Sequence, residues 1–165
     1  MCEIMEMKID NYGIKINEKL IMTNTDLEKY FKINLRYVEL DKGIDLHIFD
    51  EIGISIIKYT TCENSVIFGP LISYEIVVNI NTNPNDNILY PKSNYKGKII
   101  FFGYEINNDK NISMNEIITE LKFETNDEVI EFVGIEYFRK KIDSKNIKIE
   151  IKNGNIIDRI SVEYN

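Results

Sequence analysis

The sequence predicts an α+β fold of antiparallel sheets with two short helices, and three observations lead there. Apolar and polar residues alternate over much of the chain, as in Ile147, Ile149 and Ile151 against Lys148, Glu150 and Lys152. That period of two is the pattern of a half-buried strand. Two segments begin with a hydroxyl residue followed three positions later by glutamate, a helix N-terminus signature. The 165 residues include no alanine and many isoleucines, a composition that favours sheet over long helix.

Taken in order, Tyr12-Gly13-Ile14-Lys15-Ile16 opens a first hairpin. Thr25-Asp26-Leu27-Glu28 then predicts the start of a helix, with Thr25 as cap and Glu28 suited to the positive end of the helix dipole. Ile44, Leu46 and Ile48 alternate with Asp45, His47 and Phe49, and Ile54 and Ile56 alternate with Ser55 and Ile57, which predicts two strands. Residues 79–94 are rich in Asn and Pro and read as a linker or long loop. Lys96-Gly97-Lys98-Ile99-Ile100 opens a second hairpin. Ser113-Met114-Asn115-Glu116 caps a second helix, whose Ile117, Ile118 and Leu121 form one apolar stripe. Lys152-Asn153-Gly154-Asn155 predicts a tight hairpin turn, because Asn-Gly readily takes positive φ, and the last strand runs from Ile156 to Tyr164.

This order suggests two fused ββαβββ pseudo-repeats. Residues 1–165 are expected to form one unit, with half-domains 1–80 and 95–165 joined by loop 81–94 as the finer division. A chain of this length can bury about two-thirds of its unfolded surface without disulfide or metal staples.

Composition narrows the function. Cys2 and Cys62 match no disulfide or metal framework, and the acidic N-terminus lacks the apolar core of a signal peptide. A cytoplasmic protein is expected, with no membrane span, because charges interrupt every apolar run. The net charge of −7 argues against direct nucleic-acid binding, which needs Lys and Arg against phosphate. It suits a basic protein partner. His47 is the only histidine and lies in a strand pattern, so nucleophilic or zinc chemistry would have to be built around it alone. Asp50 and Glu51 are the most obvious carboxylate pair, but neighbours in a strand point to opposite faces, and a solvated turn is the expected reading. No catalysis, cofactor or metal is expected.

The acids cluster. Residues 111–138 carry seven acids and one lysine, residues 39–54 carry five acids and one lysine, and residues 139–165 carry seven cations and four acids. The expected partner surface therefore comprises Asp41, Asp45, Asp50 and Glu51, with Glu124, Asp127, Glu128 and Glu131.

Two segments carry a resemblance. Ile48-Phe49-Asp50-Glu51-Ile52-Gly53-Ile54 is similar to a W/F-D-D/E-x-G-I segment of an uncharacterised bacterial family, with Phe49 where Trp is common. Pro91-Lys92-Ser93-Asn94-Tyr95-Lys96-Gly97-Lys98-Ile99 is similar to that family's P-x-x-x-F/Y-x-G-x-I segment. The ordered pair spans about residues 9–122. Some members resemble immunity proteins of interbacterial toxin systems, which implies an inhibitor that binds a basic toxin or nuclease domain. The matched positions read as fold-defining turns, with Gly53 and Gly97 allowing unusual angles or close packing. Two other functions remain open at this point. One is a phage- or mobile-element-encoded inhibitor of a nucleic-acid-guided nuclease. The other is a carboxylate-based hydrolase or small-ligand-binding domain.

Overall fold

The computed structural model describes residues 5–61, 71–106, 113–125 and 134–165. Strand β1 (Glu6–Asp10) is followed by β2 (Gly13–Ile16), β3 (Lys19–Ile21) and helix α1 (Asn24–Phe31). Then come β4 (Arg36–Asp41), β5 (Ile44–Phe49), β6 (Ile54–Thr61) and β7 (Leu71–Asn79). Beyond a long loop lie β8 (Lys98–Phe101), β9 (Tyr104–Glu105), helix α2 (Met114–Glu120), β10 (Glu124–Thr125), β11 (Ile135–Ile142), β12 (Lys145–Lys152) and β13 (Ile156–Tyr164).

These strands form two sheets. The first has the order β3-β2-β1-β8-β9, and the second the order β10-β11-β12-β13-β7-β6-β5-β4. All pairings are antiparallel except β1 with β8, which run parallel with Met7 opposite Ile99. The molecule is mostly β, and the two helices are short. Both halves of the chain contribute strands to each sheet, so the core is shared across loop 81–94.

The alternation fixes which faces meet. Met7, Ile9, Ile14, Ile16, Ile99 and Phe101 from the first sheet join Ile54, Ile56, Ile76, Val78, Ile147, Ile149, Ile160 and Val162 from the second in one buried cluster. Each such side chain contributes roughly 1.5–3 kcal/mol by leaving water. Leu27 of α1 and Met114, Ile117 and Ile118 of α2 add to that cluster.

The second helix starts where expected, with the Ser113 hydroxyl accepting from the Glu116 N–H at 3.5 Å. The first starts two residues early. Its cap is Thr23, whose hydroxyl accepts from the Asp26 N–H, while the Asp26 carboxylate accepts from the Thr23 N–H at 3.0 Å. Thr25 and Glu28 therefore fall inside the helix. Aspartate closes the box here as glutamate would, and Thr23 has the extended backbone (φ −134°) that a cap needs. The Asn153-Gly154 turn forms as expected, with φ of 53° and 78°.

The Asn/Pro-rich segment, expected as a linker or long loop, is a loop strapped to the second sheet. Asn79 belongs to β7. The N–H groups of Ile80 and Asn81 and the Thr82 hydroxyl all donate to the Asp158 carbonyl. Tyr95 N–H donates to the Asn79 carbonyl at 2.8 Å.

The two resemblance segments meet each other in space. The Lys92 N–H donates to the Asp50 carboxylate at 3.0 Å, and the Ser93 hydroxyl donates to the Asp50 carbonyl at 2.5 Å. Gly53 (φ +69°) lies against the backbone of Asn94 and Tyr95, where a Cβ would come within 2.4 Å of the Tyr95 nitrogen. Gly97 sits under the Met5 carbonyl, to which the Tyr95 hydroxyl donates at 2.8 Å. Phe49 and Tyr95 are buried. Both segments thus form one structural junction between the sheets' connections.

Candidate functional site

The eight-stranded sheet separates the expected acidic surface into unlike parts. Asp41, Asp45, Asp50 and Glu51 lie on or beside β4 and β5 at one edge, whereas Glu124 lies on β10 at the other. Seven strand spacings of about 4.8 Å put these edges roughly 30 Å apart along the sheet. Asp127, Glu128 and Glu131 lie outside the described residues, as do Cys2 and Cys62. Around Glu124 the described surface is basic, since Lys122, Arg139, Lys140 and Lys141 line the same shallow groove of about 540 Å³.

Asp50 corrects the expectation of a solvated turn. Its two carboxylate oxygens accept from Arg36 Nε at 3.0 Å and Arg36 Nη2 at 2.9 Å. Those bonds, with help from the Lys92 N–H and against the cost of partial burial, hold its carboxyl below the ordinary value of 3.8. Arg36 also donates to the Ile88 and Tyr90 carbonyls at 3.0 Å each. One partly buried ion pair therefore ties β4, the β5–β6 turn and the long loop together. Glu51, the neighbour of Asp50, is exposed and accepts from the Asn34 side chain at 3.2 Å.

The other acids at this edge keep outward-facing charge. Asp41 is exposed at the end of β4, and the Asp45 carboxylate accepts from the Tyr37 hydroxyl at 2.7 Å. That bond favours the protonated phenol and raises the Tyr37 pKa. Glu39, Asp41, Asp45 and Glu51 form no ion pair among the described residues. Interleaved with them are exposed apolar side chains: Leu35 (37%), Tyr37 (54%), Leu40 (42%) and, on the loop beside Arg36, Ile88 (86%). Sequence reasoning found the acids and missed Ile88, because a lone isoleucine in a polar loop carries no periodic signal.

His47 lies opposite Tyr37 in the β4–β5 ladder, with ring centroids 5.4 Å apart. Burial lowers its pKa, a trend opposed by Asp45 and Glu28 and reinforced by Lys58. Its surroundings are a tyrosine ring and strand neighbours, with no cysteine or serine hydroxyl among the contacts described for it. No group of three or more His, Cys, Asp or Glu side chains that could hold a metal occurs among the described residues.

A second concave region lies on the face of the large sheet turned away from the shared core. Its groove encloses about 240 Å³ between Ile57, Glu75, Val77, Tyr137, Lys148, Glu150, Arg159 and Ser161. Here the charges answer one another. Glu75 Oε1 accepts from Ser161 at 2.8 Å and Lys148 at 3.3 Å, and its Oε2 accepts from Tyr59 at 3.2 Å. Lys148 also pairs with Glu163 at 3.1 Å. Burial opposes the charge on Lys148, yet Glu75 and Glu163 outweigh it and raise its pKa. Arg159 makes a two-pronged bond to Glu150 at 2.8 and 2.9 Å, and its guanidinium lies 4.8 Å from the Tyr90 ring centre. Every carboxylate in this groove is thus engaged by the chain's own cations and hydroxyls.

No helix among the described residues is long and apolar enough to cross a membrane. No protein-family profile, curated protein or solved structure matches the chain.

Proposed function

We propose that this protein is a non-catalytic inhibitor that binds a basic protein partner, as an immunity protein neutralises a cognate bacterial toxin. The observation that carries this reading is the β4 edge. Exposed Leu35, Tyr37, Leu40 and Ile88 are set among Glu39, Asp41, Asp45 and Glu51, and none of those acids forms an ion pair among the described residues. Apolar anchors ringed by uncompensated charge of one sign are what a specific protein interface needs, the anchors for affinity and the charge for steering. The resemblance to a family with immunity-like members points the same way, as does the net charge of −7. The order of elements, three strands before the first capped helix and two before the second, with four strands after each, supports reading the halves as fused repeats.

The test is capture of partners by the tagged protein from its native lysate at moderate salt, followed by inhibition assays with the purified pair. Recovery of one basic toxin or nuclease domain, whose activity the protein blocks, is expected. Reversing Asp41, Asp45 and Glu51 together should abolish capture, while reversing Glu124 should not. Capture that survives the triple reversal would remove this surface, and an empty capture despite confirmed partner expression would overturn the inhibitor reading.

A further inference from the structure

We infer that β4 is an open edge for strand addition, and that it takes an extended, basic segment of the partner through backbone hydrogen bonds. This rests on the protein-binding reading above and specifies how that binding occurs.

A sheet edge presents unpaired N–H and C=O groups, and natural proteins blunt such edges by shortening, twisting or covering them. The two sheets have four edges among the described residues. β3 has three residues, and β9 and β10 have two each. β4 has six, and it is the only one of the four long enough for a ladder of several bonds. Among the described strands β4 pairs with β5 alone, and Tyr37, Glu39 and Leu40 are exposed. A bulge between Glu39 and Asp41 limits the usable stretch to Arg36–Glu39, about four residues or ~13 Å of strand.

That stretch is held firmly on both faces. On one, the Arg36 guanidinium is fixed to Asp50 and to two loop carbonyls, which places the Ile88 segment beside the strand. On the other, Tyr37 rests on the His47 ring and is anchored to Asp45. An added strand would lay its alternate side chains beside Ile88 and Val38 on one face and beside Leu35, Tyr37 and Glu39 on the other.

Charge then selects the occupant. Residues 36–51 hold five acids against Arg36 and Lys42, and Arg36 is already engaged by Asp50. A second copy of this chain would set this net-acidic edge, with Glu39 and Asp41, against another of the same sign, which is unfavourable. A strand carrying Lys or Arg would gain cross-strand attraction at the same positions.

The probe is a synthetic octapeptide of alternating Lys and Val at millimolar concentration, added to the isotope-labelled full chain. Its control is the same peptide with every backbone nitrogen methylated, which keeps the charge and removes the donors. Slowing of amide exchange at Arg36–Glu39 by at least about fivefold is expected with the first peptide and none with the second. Glu39→Lys with Asp41→Lys should weaken the binding roughly tenfold while core amides keep their protection. Equal effects of both peptides would mean plain charge attraction and would overturn the proposal, as would protection confined to other strands or no protection at all. Protection of β4 without peptide, rising with protein concentration, would assign the edge to a second copy and also overturn it. Because no toxin enters this experiment, its failure leaves the inhibitor reading to the capture assay, and failure of capture leaves the edge chemistry intact.

Discussion

The groove on the outer face of the large sheet and the β4 edge are both rich in charge, and they use it in opposite ways. In the groove, Glu75, Glu150 and Glu163 are each matched by Lys148 or Arg159 at 2.8 to 3.3 Å. At the edge, Glu39, Asp41, Asp45 and Glu51 face outward beside exposed Leu40, Tyr37 and Ile88. The paired charges stabilise or position the sheet, and removing one member leaves the other half-buried and alone. The charges outside any ion pair cost the fold little. Density of acid therefore does not tell the two regions apart; the presence or absence of an ion pair among the described residues does.

That contrast can be broken at its strongest point first. Glu75→Ala should destabilise the protein by about 3 kcal/mol, since Tyr59 and Ser161 lose an acceptor and Lys148 keeps only Glu163. Urea denaturation measures it, and a loss below about 0.5 kcal/mol would mean that the groove's charges are merely solvated. Arg36→Ala comes next, at roughly 2 kcal/mol, because it leaves Asp50 without its cation and frees the Ile88 and Tyr90 carbonyls. Limited proteolysis should find new cleavage in residues 82–95, and an unchanged digest would detach the loop from this ion pair.

A pH effect sharpens the edge side of the comparison. Burial puts the folded His47 pKa below its ordinary 6.5. The unfolded chain therefore takes up the proton first as pH falls. The stability tied to neutral His47 is present above about pH 6.5 and is lost as pH drops through the folded value. Asp50, held below 3.8 by Arg36, loses its contribution only at lower pH. Thermal melts should show a fall of a few degrees between about pH 7 and about pH 5 that shrinks in His47→Leu. An identical fall in the variant would assign the effect to other groups. The smallest stability effect is expected for Glu39→Gln with Asp41→Asn, within about 0.5 kcal/mol of wild type. A larger loss would show that these acids serve the fold, contrary to the comparison.

Much of the local structure was legible in the sequence because it is written at short range. Alternating isoleucines located β5, β6, β12 and β13, and Asn153-Gly154 located their last turn. Ser113 located the second helix. The first helix start slipped by two residues because Thr23 with Asp26 and Thr25 with Glu28 are equally good boxes on paper, and only the extended backbone at Thr23 distinguishes them. Residues 79–94 read as a linker or long loop because they are rich in Asn and Pro. Their fastening to Asp158 and Asp50 depends on carbonyls and carboxylates dozens of residues away. The acids were found as a class, but their division into paired and unpaired was not visible.

The sequence alone determined strands β5, β6, β12 and β13, the presence of two short helices, the Asn153-Gly154 turn and the net acidity, since each depends on spacing or composition within a few residues. The tertiary structure alone decided that β1 pairs with β8 in parallel, that the two resemblance segments lock together through Asp50 and Gly53, and that Glu124 stands an entire sheet away from Asp41. It also decided that Asp50 is a fastener while Asp41 stays exposed and outside any ion pair among the described residues. The physical reason is that a carboxylate's role is set by what lies within about 3 Å of it, and strand order, not sequence distance, chooses those neighbours.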